Sequence, residues 1–107
     1  MARVGKKQDF KARVHYWAAK LEVQVVWLGV RPMRTKWASC STSGHLNFSE
    51  ELLALDRELW DYVIVHELLH FSAPNHGRLW KSLMRLHLGE YEEMEKRLKG
   101  TVRCSRG

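Results

Sequence analysis

The chain has 107 residues, 45% of them hydrophobic and five of them tryptophan, which allows one domain with one core and leaves too little length for a second. Its two cysteines, Cys40 and Cys104, are too few for a disulfide framework and are not spaced as a C-x-x-C pair, and no apolar run reaches the roughly 18 residues of a membrane span. The net charge of +6 is segregated, with +7 in residues 1–36, −5 in residues 37–70 and +4 in residues 71–107.

In chain order, Phe10, Val14, Trp17, Ala18 and Leu21 follow helical spacing with Lys11, Arg13 and Lys20 on the outer side, which predicts an amphipathic helix. Val23–Leu28 is rich in β-branched and aromatic residues and reads as a strand, broken by Gly29 and Pro32. Thr35–Thr42 is a second strand candidate, Ser43-Gly44 a turn, and His45–Phe48 a third strand, so a three-stranded antiparallel meander is expected. Ser49–Leu55 reads either as a short helical turn capped by Ser49 or as a continuation of the strand.

Asp56 is a good N-cap for a helix beginning at Arg57, with Glu58 in its first turn. This helix should run through Trp60, Val63, Ile64 and His70 and end before Pro74; being apolar almost all round, it should be central and buried. Arg78–Leu88 repeats apolar residues at 79, 80, 83 and 84 and ends at Gly89, and Glu90–Lys99 makes a last helix with Tyr91, Met94 and Leu98 inward. Residues 100–107 have little to pack and read as a flexible tail. The expected whole is one α+β domain over residues 1–107: an N-terminal helix, a three-stranded mainly antiparallel sheet, a central helix and two C-terminal helices.

The chemistry sits in His66-Glu67-Leu68-Leu69-His70, inside the central helix. Residues four apart on a helix differ by about 40° around the axis and about 6 Å along it. His66 and His70 can therefore share one tetrahedral metal. Glu67 falls on the flank of the same face, where it can reach a water on the metal without being a ligand. A glutamate amid Val63, Ile64, Val65, Leu68 and Leu69 would otherwise be a poorly solvated charge lacking a partner. His76 lies six residues past His70, beyond a helix end at Pro74-Asn75, where the chain can bring in a third imidazole; the alternative is that it caps the next helix, for which Asn75 is the better candidate. Three protein ligands with an open position is the catalytic arrangement for Zn2+. The expectation from these residues is zinc-dependent hydrolysis of a polarised carbonyl, with His66, His70 and His76 on the metal and Glu67 as the base that activates the zinc-bound water and later passes the proton to the leaving group. That the bond is a peptide, making the protein a zinc metallopeptidase, rests largely on the family resemblance that follows.

These residues resemble the YgjP-like branch of zincin metallopeptidases and, more distantly, the SprT-like ones. The resemblance covers about residues 28–85 and rests on Val30–Ser41 with its Trp37-Ala-Ser-Cys-Ser41 strand, on Asp61–His70, and on Asn75-His76 followed by Trp80. Lys36 and Ala38 depart from the family's usual residues beside Trp37, as does Gly77 after His76. The resemblance implies a compact zincin-like fold with the cleft between sheet and active-site helix, His66, His70 and His76 as zinc ligands, and Glu67 as catalytic base.

Other residues carry weaker expectations. Cys40 could ligate zinc as a thiolate and hold the enzyme latent, or be a small buried hydrophobe. His45, His87, Tyr62, Tyr91 and Arg34 are chemically able to stabilise an oxyanion. Trp37 and Trp80 read as core rather than substrate stackers. The strand ending near Thr42 could offer its free edge to an extended peptide substrate. The basic ends are mainly a solubility feature, with weak nucleic-acid association as the sharper alternative. The N-terminus, Met1 to Asp9, lacks the apolar stretch of a secretory signal, and a cytoplasmic protein is expected. The competing function is a catalytically idle, zinc-stabilised module that binds nucleic acid or a protein partner. The oligomeric state is not readable from the sequence.

Overall fold

In the computed structural model the residues described are 5–33, 37–41, 43–71 and 77–101, with side chains as far as Leu98. Among them the elements run α1 (Lys6–Leu21), β1 (Trp27–Arg31), β2 (Ala38–Cys40), β3 (His45–Ser49), a 3-10 turn (Glu50–Ala54), α2 (Arg57–Leu68) continued by a 3-10 turn (Leu69–Phe71), α3 (Arg78–Leu88) and α4 (Tyr91–Thr101). This is the expected α+β order of one helix, three strands, a central helix and two further helices. No helix among the described residues is long and apolar enough to cross a membrane.

The N-terminal helix begins four residues before Phe10, and Phe10, Val14, Trp17 and Ala18 form its buried stripe. It ends on Glu22, which adopts the left-handed conformation (φ 60°) and lets the amide of Val23 bond back to the Ala18 carbonyl at 2.9 Å. That closure occupies Val23, and Val26 is exposed, so the β-branched run Val23–Val26 precedes the first strand instead of forming it. Gly29 lies inside β1 rather than breaking it. A Cβ added there would stand 2.3 Å from the Trp27 ring, so the indole folds over the space a side chain would fill.

The sheet differs from a meander. Its order is β1-β3-β2, with β1 parallel to β3 (Leu28↔Leu46, Val30↔Phe48) and only β2 antiparallel to it (Ala38↔Phe48, Cys40↔Leu46). The hairpin through Ser43-Gly44 forms as expected, but β3 carries the most deeply buried strand residues, Leu46 and Phe48, and takes the middle place. β1 therefore adds to the far side of β3, beyond the reach of a hairpin pattern.

Behind the inner sheet face, Phe10 of α1 meets Phe48 and Trp60 edge-on, with ring centroids 5.0 and 5.2 Å apart. Ser49 caps the 3-10 turn, its hydroxyl accepting from the Glu51 amide at 3.2 Å, which settles the choice for that segment in favour of the helical turn. The Trp60 indole N–H donates to the Leu52 carbonyl at 2.6 Å and ties that turn to α2.

α2 is central, with Leu59, Trp60, Tyr62, Val63, Ile64, Val65 and Leu68 all buried. Asp56 occupies its N-cap position, but the carboxylate makes no capping bond and instead pairs with Arg97 of α4. α2 stops at Leu68, so His70 lies in the tighter 3-10 turn that follows. On α3, Trp80 and Met84 of the apolar repeat are buried, whereas Leu79 is exposed. α4 continues through Gly100 and Thr101, two residues into the expected tail; the rest of that tail lies outside the described residues, as do Asn75 and His76. Gly77 holds the N-cap position of α3.

One polar latch crosses the core. Asp61 of α2 accepts from Arg13 Nε at 2.7 Å and Nη2 at 3.0 Å, and from Trp17 Nε1 at 2.9 Å. It fixes α1 against α2 one and a half turns upstream of His66.

Candidate metal centre

His66 closes the last turn of α2, Glu67 follows it, and His70 comes from the 3-10 turn. The tightened turn does not separate the pair: the two imidazole centroids are 5.1 Å apart with planes inclined at 76°. One ligating atom from each of His66, Glu67 and His70 lies within 4.8 Å of the others, and all three side chains are half-buried. Among the described residues this is the group of donors able to hold a metal ion. Two imidazoles converging beside a carboxylate fit a borderline-soft divalent ion such as zinc. His66 Nδ1 is 3.4 Å from Glu67 Oε2, a neighbour that favours a proton on Nδ1 and a lone pair on the other ring nitrogen.

An aromatic cluster orients the first of these imidazoles. His66 packs between Tyr62 (5.7 Å) and the edge of Trp80 (5.1 Å, 80°), Tyr62 stacks on Tyr91 (6.5 Å, 17°), and Trp80 meets Tyr91 edge-on (5.9 Å). Three helices thus converge on one histidine. The sequence placed Trp80 in the core but offered no signal that it would bear on His66, because the contact joins elements fourteen residues apart.

The oxyanion candidates separate clearly. Tyr62 and Tyr91 are buried in this cluster, and burial above all, with nearby carboxylates second, raises both phenols above the usual tyrosine value, Tyr62 the further. His45 lies against Trp27 on the outer sheet face and His87 against Trp17 of α1. Arg34 lies outside the described residues.

Cys40 stands at the end of β2, half-buried and unpaired with another cysteine. Burial, then the Glu67 charge and a hydrogen bond to it, push its thiol up to about 11, so it sits beside Glu67 as a protonated group. It is not among the donors that converge on one point.

Comparison with known proteins agrees with this geometry. The crystal structure of the metallopeptidase zymogen of Methanocaldococcus jannaschii jannalysin superposes with a TM-score of 0.79 and 27% sequence identity, covering 89% of this chain and 98% of that one. The metallopeptidase zymogen of Pyrococcus abyssi abylysin shares the fold with a TM-score of 0.76 at 22% identity, covering 92% and 99%. Curated proteins give no match. The YgjP-like metallopeptidase domain matches residues 2–101, nearly the whole chain, and the protein belongs to that family and is a metallopeptidase.

Proposed function

We propose that this metallopeptidase uses zinc, held by His66, His70 and His76, and hydrolyses peptide bonds with Glu67 as general base. The observation that carries the reading is the convergence of the His66 and His70 imidazoles with the Glu67 carboxylate at the end of the buried helix. His76 immediately precedes Gly77, the N-cap of a helix whose first turn sets Trp80 against His66. The tether from that contact back to His76 is therefore short, which supports a third imidazole from this position. When bound, zinc supplies the Lewis acidity that polarises a scissile carbonyl and acidifies a water.

The remaining work falls to the chain. Glu67 takes a proton from the attacking water as its oxygen bonds to the carbonyl carbon, then delivers that proton to the amide nitrogen as the C–N bond breaks. Tyr62, Trp80 and Tyr91 keep His66 from rotating away.

The edge strand supports a mode of substrate binding. β2 is the terminal strand of the sheet, and its Cys40 end adjoins Glu67. Trp37 and Ser41 use their backbone groups toward β3, through Ser49 N–H to Trp37 O at 2.8 Å and Ser41 N–H to His45 O at 3.0 Å. By strand alternation the backbone groups of Ala38 and Cys40 point to the open edge, where an extended peptide can pair. Metal analysis tests the ligand set: the wild type should bind one zinc per chain, and His66→Ala, His70→Ala and His76→Ala should each lose it. Stoichiometric zinc retained by His76→Ala would remove the third ligand from the account.

A further inference from the structure

The sheet has a second open edge, at β1, on the side away from β2. Trp27 N–H donates to the Gly44 carbonyl at 3.2 Å, which fixes the alternation along the parallel pairing with β3. Trp27, Gly29 and Arg31 use their backbone groups toward β3, while Leu28 and Val30 turn theirs outward. Among the described residues no hydrogen bond reaches those four edge groups. Such a row of unpaired N–H and C=O groups is a template for another strand. The side chains around it are also uncovered: Val26 is 63% and Trp27 49% exposed. Arg31 is exposed and makes no ion pair among the described residues, and the sequence offers no acid between Glu22 and Glu50.

The strand, Trp27-Leu-Gly-Val-Arg31, is complementary to itself when run antiparallel about Gly29. Leu28 then faces the partner's Val30, and Val30 the partner's Leu28. Both are hydrogen-bonded pairs, so the free edge groups of the two copies satisfy one another completely. On the inner face these pairs continue the apolar surface that Leu28 and Val30 share with Leu46 and Phe48. On the outer face Trp27 falls opposite the partner's Arg31, where a guanidinium can lie over the exposed indole. Gly29 meets the partner's Gly29 at the two-fold axis, and the Trp27 ring already fills the space its Cβ would take.

The neighbouring registers fail. Centred on Val30, the pairing would set Leu28 against the partner's Pro32, which has no N–H to give. Centred on Leu28, it would set Val30 against the partner's Val26, whose N–H is committed to the Gly44 carbonyl at 2.9 Å.

We propose that two copies of this chain associate through β1, antiparallel about Gly29, and join their sheets into one of order β2-β3-β1-β1-β3-β2. Both β2 edges stay open at the two ends of that sheet. The association therefore leaves the substrate edge free and does not depend on the peptidase reading.

An edge of five residues is a small interface, so the dimer should be weak, with a Kd of about 10–100 µM. Sedimentation velocity of the full chain across that range should show monomer–dimer exchange. Val30→Pro removes an edge N–H without touching a bond to β3, and should be monomeric throughout while keeping its far-UV dichroism. Arg31→Glu, at an exposed side chain, loses the cation over the indole twice per dimer and should raise Kd about five- to thirtyfold. Register is read by oxidation in a Cys40→Ala/Cys104→Ala background. A mixture of Trp27→Cys and Arg31→Cys chains should form an intermolecular disulfide, because a non-hydrogen-bonded pair brings the Cα atoms to about 4.5 Å. Neither variant alone should cross-link, since its two cysteines would lie four residues out of register. A chain still monomeric at about 1 mM would overturn the proposal. So would a Val30→Pro protein that dimerises like wild type, an Arg31→Glu protein with unchanged Kd, or single variants that cross-link as readily as the mixture. Should Val30→Pro not fold, the cross-linking result decides by itself.

Discussion

Replacing Asp61 should unlatch the N-terminal helix. Its carboxylate takes both nitrogens of a forked Arg13 contact at 2.7 and 3.0 Å and the Trp17 indole N–H at 2.9 Å. The Arg13 side chain is 35% exposed, so water re-solvates much of that charge after the substitution, whereas Trp17 is only 5% exposed and its N–H would be left without an acceptor. A part-exposed ion pair contributes about 1 kcal/mol and an orphaned buried donor about 1–2 kcal/mol, so Asp61→Ala should destabilise by about 2–3 kcal/mol. Asp61→Asn, which can still accept from Trp17, should lose about 1 kcal/mol. Urea unfolding monitored by tryptophan fluorescence gives both values, and an Arg13→Ala/Asp61→Ala double-mutant cycle isolates the ion pair. An Asp61→Ala loss below about 0.5 kcal/mol would show that the three contacts do not persist in solution.

Further outcomes follow from other contacts. Trp80→Ala removes the ring held against His66 and should weaken zinc binding about ten- to a hundredfold, with Trp80→Phe closer to wild type, as measured by competition with a chelating dye. Glu22 adopts φ 60°, which strains a residue bearing Cβ, so Glu22→Gly should raise stability by about 1 kcal/mol in urea unfolding despite the added freedom of the unfolded chain. In metal-free Cys104→Ala protein, alkylation of Cys40 should rise with pH up to about 11, not 9. The shift is upward, so thiolate is depleted at every pH below that point, and at pH 8 the reaction should run about a hundredfold slower than at an ordinary thiol.

The central helix was legible because its signals are local: Asp56 and Glu58 at its start, an apolar surface on every side, and two histidines one turn apart. The sheet was legible in number and not in pairing. Thr35–Phe48 contains a turn that joins its own two strands, but nothing near Trp27 states that its partner is His45, eighteen residues on, and parallel to it. Val23–Val26 has strand composition, yet the closure of α1 on Glu22 commits its first residue to the helix end. The convergence of His66, Glu67 and His70 was read from spacing alone, whereas what packs around it was not. Tyr62, Trp80 and Tyr91 meet around His66 only after three helices pack, and β2 comes to lie against α2 only in the folded sheet.

The proposed hydrolysis requires Glu67 to act as a base rather than as a structural charge. Its most direct test is the cleavage of unfolded casein by Glu67→Gln protein carrying stoichiometric zinc. The amide preserves shape and a hydrogen-bonding oxygen but cannot accept the proton, so the variant should keep its metal and its unfolding midpoint while activity falls about a thousandfold or more. Zinc-loaded Glu67→Gln protein cleaving casein at the wild-type rate would contradict the mechanism.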